Sequence, residues 1–107
     1  MADTIGIMTA LASIARSGLD AAQLRLGTSA HNVANLTTPG FARQAVGQQA
    51  APAQGGVQAR AGRSGQPGVA LEAEAVEQMA ATYAFKASLL VLRTAGEMAG
   101  ALLDVRA

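Results

Sequence analysis

The chain contains no cysteine, no tryptophan and only three aromatic residues, Phe41, Tyr83 and Phe85. Without thiols there is no disulfide framework, no thiolate zinc site and no thiol nucleophile. Half of the 107 residues are apolar, but many are Ala. A core of Ala and Leu removes little surface from water, so a chain of this size and composition leans on neighbours to complete its stability. No run of about 18 apolar residues is present to span a bilayer, and no direct membrane insertion is expected. The N-terminus lacks the basic and apolar regions of a secretory signal peptide.

Acidic residues are missing from a long internal stretch. Between Asp20 and Glu72 the only formal charges are Arg25, Arg43, Arg60 and Arg63. From Glu72 onwards five acids face Lys86, Arg93 and Arg106. A basic middle beside an acidic last segment suits contacts between subunits, although solvated charge explains it as well. The net charge of +1 and the lack of aromatics among the arginines argue against nucleic acid as a partner.

Three segments follow along the chain, with bounds at 1–36, 37–70 and 71–107. In the first, Ile5, Met8, Ala12, Ala15, Leu19, Ala22, Leu26, Ser29, Val33 and Leu36 recur three and four apart. This heptad-like seam predicts a long helix that pairs with another. Gly18 interrupts it at a cost of about 1 kcal/mol relative to Ala, but the seam stays in register, so one continuous helix is expected. Asn35 suits a left-handed helix end. Thr38-Pro39-Gly40-Phe41 suits a type II turn, with Pro presetting the second position and Gly supplying the positive φ of the third.

The middle segment is rich in Gly and Gln and poor in large apolar residues. No alternating apolar run supports a hairpin, so a flexible linker is expected. The last segment carries two apolar stripes at helical spacing. One runs through Leu71, Ala75, Thr82, Phe85, Leu89, Leu92, Gly96, Ala99 and Leu103, the other through Val76, Met79, Tyr83, Ala87, Leu90, Met98, Ala101 and Val105. A helix apolar on so much of its circumference needs more than one neighbour. The predicted fold class is all-α: two long terminal helices paired as an antiparallel coiled-coil-like hairpin, joined by a flexible Gly/Gln-rich segment.

No catalytic constellation assembles from these residues. His31 has Gly27 and Asn35 one turn away and no carboxylate partner, so it reads as a helix-surface residue and not a metal or catalytic group. Glu72, Glu74 and Glu77 fit the dipole at a helix start. The glycine pairs neither follow a strand nor precede a phosphate-binding helix with Lys. No cofactor or metal is implied, and the chain is not expected to be an enzyme.

Two stretches resemble a known family. Ser17-Gly18-Leu19-Asp20-Ala21-Ala22-Gln23-Leu24-Arg25-Leu26 with Asn32-Val33-Ala34-Asn35-Leu36-Thr37-Thr38-Pro39-Gly40-Phe41-Ala42-Arg43 is similar to the N-terminal signature of bacterial flagellar rod and hook proteins. Val76 to Ala87 and Leu92 to Leu103 resemble the matching C-terminal helix, with Ser88 where the family usually has Asn. In size the chain resembles the short proximal-rod subunits. The resemblance implies a structural subunit of the basal-body rod, packing through its terminal helices into the axial tube for motility. It also implies type III export without a cleaved signal peptide and a place in the periplasmic rod. Its partners would be other rod subunits, copies of itself and the export apparatus. The residues expected to carry assembly are Leu19, Leu26, Asn32, Val33, Asn35, Thr38, Pro39, Gly40 and Phe41 on the N-terminal side. On the C-terminal side they are Met79, Tyr83, Phe85, Leu89, Leu92, Met98 and Leu103. The alternative reading is a helical-hairpin adaptor or regulator of flagellar export that is not itself a rod subunit.

Overall fold

The structure is a computed structural model that describes residues 2–52 and 55–106. Its elements in chain order are α1 (Ala2–Ala34), β1 (Ala42–Ala50), β2 (Val57–Pro67) and α2 (Leu71–Arg106). The molecule is an elongated slab of 63 × 24 × 14 Å with a radius of gyration of 17.9 Å. A compact domain of this length would have a radius of about 13 Å.

The helices run antiparallel, with Gly18 opposite Ser88, Arg25 opposite Glu77 and Ser29 opposite Glu74. α1 is continuous through Gly18, and the reason for the glycine lies in its partner. A Cβ there would collide with Ser88 Oγ and lie 3.3 Å from Ser88 Cβ. Gly18 therefore permits a close helix approach that any other residue would push apart.

The intrachain seam is built of small and polar side chains at seven-residue spacing. On α1, Met8, Ala15, Ala22 and Ser29 are buried. On α2, Glu74, Ala81 and Ala95 are buried at the same period, with Ser88 and Leu102 half-buried between and beyond them. Among the described residues the buried apolar set is Met8 and six alanines, and the largest fully buried side chains are Glu74, Asn32 and Ser29. Apolar burial is correspondingly small.

The prediction of an all-α chain with a flexible middle is corrected here. β1 and β2 form a two-stranded antiparallel sheet, pairing Gln44 with Arg63 through Ala50 with Val57. The ribbon forms without an alternating apolar run because backbone hydrogen bonds and a few anchors on α1 replace a buried face. Gly55 and Gly56, at φ of 72° and 80°, turn the chain at its tip, where Ala51 N–H donates to the Gly56 carbonyl at 3.1 Å. Ser17 Oγ accepts from Val57 N–H at 3.1 Å, and a Cβ at Gly56 would collide with that hydroxyl. At the other end, Asn32 holds Gln44 through both side-chain atoms. A two-stranded ribbon alone is marginal in water; this one is fastened to α1 at both ends.

Candidate assembly interface

Three features surround the exposed faces of the helix pair: a buried polar node, a rigid turn and uncovered apolar stripes. The node sits where β1 leaves the turn. Asn32, on the last turns of α1, is fully buried. Its Nδ2 donates to the Gln44 carbonyl at 2.8 Å and to Glu74 Oε1 at 3.1 Å, while its Oδ1 accepts from Gln44 N–H at 2.8 Å. Arg43 Nε donates to Glu74 Oε2 at 2.7 Å. Its backbone lies where the ladder register shifts between Ala42 and Gln44. Ser29 Oγ donates to the Glu74 carbonyl at 3.2 Å and accepts from Gln78 Nε2 at 3.1 Å.

Glu74 is fully buried. Burial pushes its carboxyl up, but the hydrogen bonds from Arg43 and Asn32 and the Arg43 charge outweigh this and hold it below the ordinary carboxylate range. One turn along α2, Arg25 Nε donates to Glu77 Oε1 at 2.8 Å. Two of the four arginines in the acid-free stretch are thus paired within the chain. The node ties α1, β1 and α2 at one register, which a seam of Ala and Ser would otherwise leave free to slide. A single buried polar contact can fix helix register in this way.

The turn follows the predicted chemistry at Thr38–Phe41. Phe41 N–H donates to the Thr38 carbonyl at 3.3 Å, and Gly40 takes a φ of 72°. With Pro39 confined to negative φ, this is the type II form. Asn35 ends α1 differently from expectation. No non-glycine residue described has positive φ. Instead Asn35 Nδ2 donates to the His31 carbonyl at 2.9 Å, and its Oδ1 accepts from Thr38 Oγ1 at 3.2 Å. Phe41 is half-buried and meets the His31 ring edge-on, with centroids 5.5 Å apart at 66°. His31 is a packing residue on the helix surface, and its ring seats the turn.

The remaining expected residues separate into two groups. Leu19, Leu26, Val33, Phe85 and Leu92 are half-buried along the flanks of the intrachain seam. Thr38, Pro39 and Gly40 are exposed. Met79 (65 %), Tyr83 (77 %), Met98 (49 %) and Leu103 (66 %) are open to solvent, and Leu89 is at its margin of exposure. The second stripe, from Val76 through Met79, Tyr83, Ala87, Leu90 and Met98 to Ala101, is exposed throughout. At 100° per residue it points away from α1. One intrachain partner can cover one stripe at most, and α1 packs against the first in part. It covers only Phe85, Leu92 and Ala99 of it in part, because the seam itself runs through Glu74, Ala81, Ser88 and Ala95.

A groove of about 410 Å³ opens between the free ends of the helices, lined by Ile5, Met8, Thr9, Ala12, Leu92, Ala95, Gly96, Ala99, Leu102 and Leu103. Thr9 brings its only hydroxyl, so the groove offers packing and no convergent chemistry. Among the described residues no group of three metal-ligating side chains comes together. No described helix is long and apolar enough to cross a membrane.

Sequence reasoning noted Glu74, Arg43 and Gln78 but gave neither them nor Gln44 a place in a common site. Glu74 sits in the first turn of α2, where the helix dipole already accounts for a carboxylate. The signal that marks it is its seven-residue spacing from Ala81, Ser88 and Ala95.

This arrangement is that of a structural element: a helix pair with a sealed polar joint at one end and uncovered apolar faces along its length. Residues 13–41, from mid-α1 through the Thr38–Phe41 turn, match the model of the flagella basal body rod protein family. The matched stretch coincides with the N-terminal signature whose resemblance was read from the sequence, and the rod family it describes is a structural component of the flagellar basal body. None of the curated proteins compared with the chain matches it.

Proposed function

We propose that the chain is a subunit of the flagellar basal-body rod that enters the axial tube by burying the outer face of α2 and the turn region against neighbouring rod subunits. The observation that carries this reading is the α2 stripe. Tyr83, Met79, Val76 and Leu90 are each more than three-fifths exposed on a face that none of the described residues covers. A contiguous apolar patch of this extent marks an interaction surface. The family match over residues 13–41 supplies the setting.

In this reading the segments 1–36, 37–70 and 71–107 are N-terminal rod helix, turn with hairpin, and C-terminal rod helix. Leu19, Leu26, Val33, Phe85 and Leu92 set the spacing of the helix pair. Asn32, Asn35 and Thr38 to Phe41 fix the turn. Met79, Tyr83, Leu89, Met98 and Leu103 meet neighbours. The chain reaches the periplasmic rod through the type III export apparatus without losing a signal peptide, and serves motility as a structural part.

The test is a paired substitution, Tyr83→Glu with Leu90→Glu. Both side chains are exposed, so the thermal stability of the purified chain should change by less than about 0.5 kcal/mol per site. Incorporation into isolated basal bodies and swimming should be lost. Normal incorporation of this variant sinks the proposed interface. Normal flagella after clean deletion of the gene, with no paralogue present, sink the rod function itself.

A further inference from the structure

The exposed face of α2 has a charged edge that no intrachain contact uses. Lys86, Arg93, Glu97 and Asp104 are all exposed, and among the described residues no ion pair or side-chain hydrogen bond engages any of them. At 100° per residue they lie within about 40° of one another, along one side of the stripe that contains Tyr83, Leu90, Thr94 and Ala101. Their order is two cations and then two anions. The positions are symmetric about residue 95, so Lys86 mirrors Asp104 and Arg93 mirrors Glu97.

This pattern is complementary to itself in one orientation. When two copies of a helix pair antiparallel about a two-fold axis, each flank meets the same flank of its copy in reverse order. With the axis near residue 95, Lys86 meets Asp104 of the second copy and Arg93 meets Glu97, each pair occurring twice. A parallel two-fold pairing would set this edge against the opposite flank of the copy, so the four charges would not meet one another. The apolar stripe beside this edge, from Tyr83 to Ala101, becomes the dry strip between the two helices.

We infer that the free chain forms an antiparallel homodimer through the outer faces of two α2 helices, with the line Lys86, Arg93, Glu97, Asp104 selecting the orientation. The consequence rests on the rod reading above. A two-fold contact closes on itself, whereas a growing tube needs contacts that propagate. The dimer covers the stripe from Tyr83 onwards, leaves Val76 and Met79 open, and caps that part of the subunit until a rod partner displaces the second copy.

The chain has no native cysteine, so single-cysteine variants of the full chain report the geometry directly. Thr94 is exposed, on the stripe and next to the axis. Thr94→Cys should form an intermolecular disulfide under mild oxidation. Tyr83 lies on the same stripe but about 36 Å along the helix from its own copy in the dimer, so Tyr83→Cys should not. Cross-linking of both variants would indicate a parallel pair, and cross-linking of neither would indicate no such dimer; each overturns the inference.

Charge reversal gives an independent reading by sedimentation, with helicity checked by circular dichroism. Lys86→Glu with Arg93→Glu makes the edge wholly acidic, and Glu97→Lys with Asp104→Lys makes it wholly basic. Each variant alone should dimerise at least about tenfold more weakly than the parent chain at low salt. An equimolar mixture should restore dimerisation as the heterodimer. Unchanged dimerisation of either variant alone would refute the role of the charged edge. A chain that stays monomeric yet enters basal bodies would remove this inference and leave the rod function standing.

Discussion

Replacing Glu74 by Ala removes the carboxylate on which the polar node converges, and the size of the effect follows from what remains. Asn32 keeps both bonds to Gln44. Arg43 loses its 2.7 Å partner, but its side chain is 29 % exposed and can turn towards water. The loss therefore falls below the 3–5 kcal/mol of a fully buried broken pair, at about 2–3 kcal/mol. For a domain of this size that lowers Tm by about 10–20 °C. Far-ultraviolet circular dichroism during thermal and urea unfolding measures it. A cycle with Arg43→Ala and the double variant isolates the coupling, expected at about 1–2 kcal/mol. The pH dependence gives a second measure. Glu74 titrates lower in the folded chain than in the unfolded chain, where a Glu ionises near about 4.3. Its stabilisation is complete above that value and is lost as pH falls through the lower folded value. Glu74→Gln should flatten this acid limb. A loss under 0.5 kcal/mol on the order of surface substitutions, or an additive cycle, would refute the node as the joint of the fold.

Gly18→Ala should destabilise the chain by about 1–2 kcal/mol by overpacking, despite the better helix propensity of Ala. Ser88→Ala should recover much of that loss in thermal unfolding, because the obstructing atom is Ser88 Oγ. Gly40→Val places a β-branched residue at a φ of 72°, costing about 1–2 kcal/mol or more and reducing basal-body incorporation; unchanged stability would show that the turn relaxes freely. Ser17→Ala unpins the ribbon tip, so Val57 N–H should exchange with solvent faster while the Asn32-bound Gln44 N–H stays protected. Equal acceleration at both amides would mean that the ribbon detaches as one unit.

The helices were legible because their signals are long and local: a seam from Ile5 to Leu36, two stripes after Leu71, and the Pro39-Gly40 turn. The ribbon was not, because its stability lies in backbone pairing and in two anchors, Ser17 and Asn32, that are distant in sequence from the residues they hold. Asn32 was singled out by the family resemblance, yet its partners Gln44 and Glu74 lie 12 and 42 residues away, and no periodicity in the sequence links them. The seam of α2 was not legible for a physical reason. Large apolar residues read as seam, whereas Gly18 against Ser88 and Ala against Ala let the backbones approach so closely that the seam excludes bulk. The arginines of the acid-free stretch read as solvated or intersubunit charge, while Arg25 and Arg43 close ion pairs inside the chain.

A buried apolar set of Met8 and six alanines also determines how the chain answers to temperature. The heat-capacity increment of unfolding scales with apolar surface exposed and averages about 12–15 cal/mol/K per residue. Here it should fall below that range, giving a shallow stability curve with weak curvature between cold and heat. The larger increment belongs to the step that covers Val76, Met79, Tyr83 and Leu90. Calorimetry should therefore find the signature of apolar dehydration in subunit association more than in folding, and assembly should be the step that weakens on cooling.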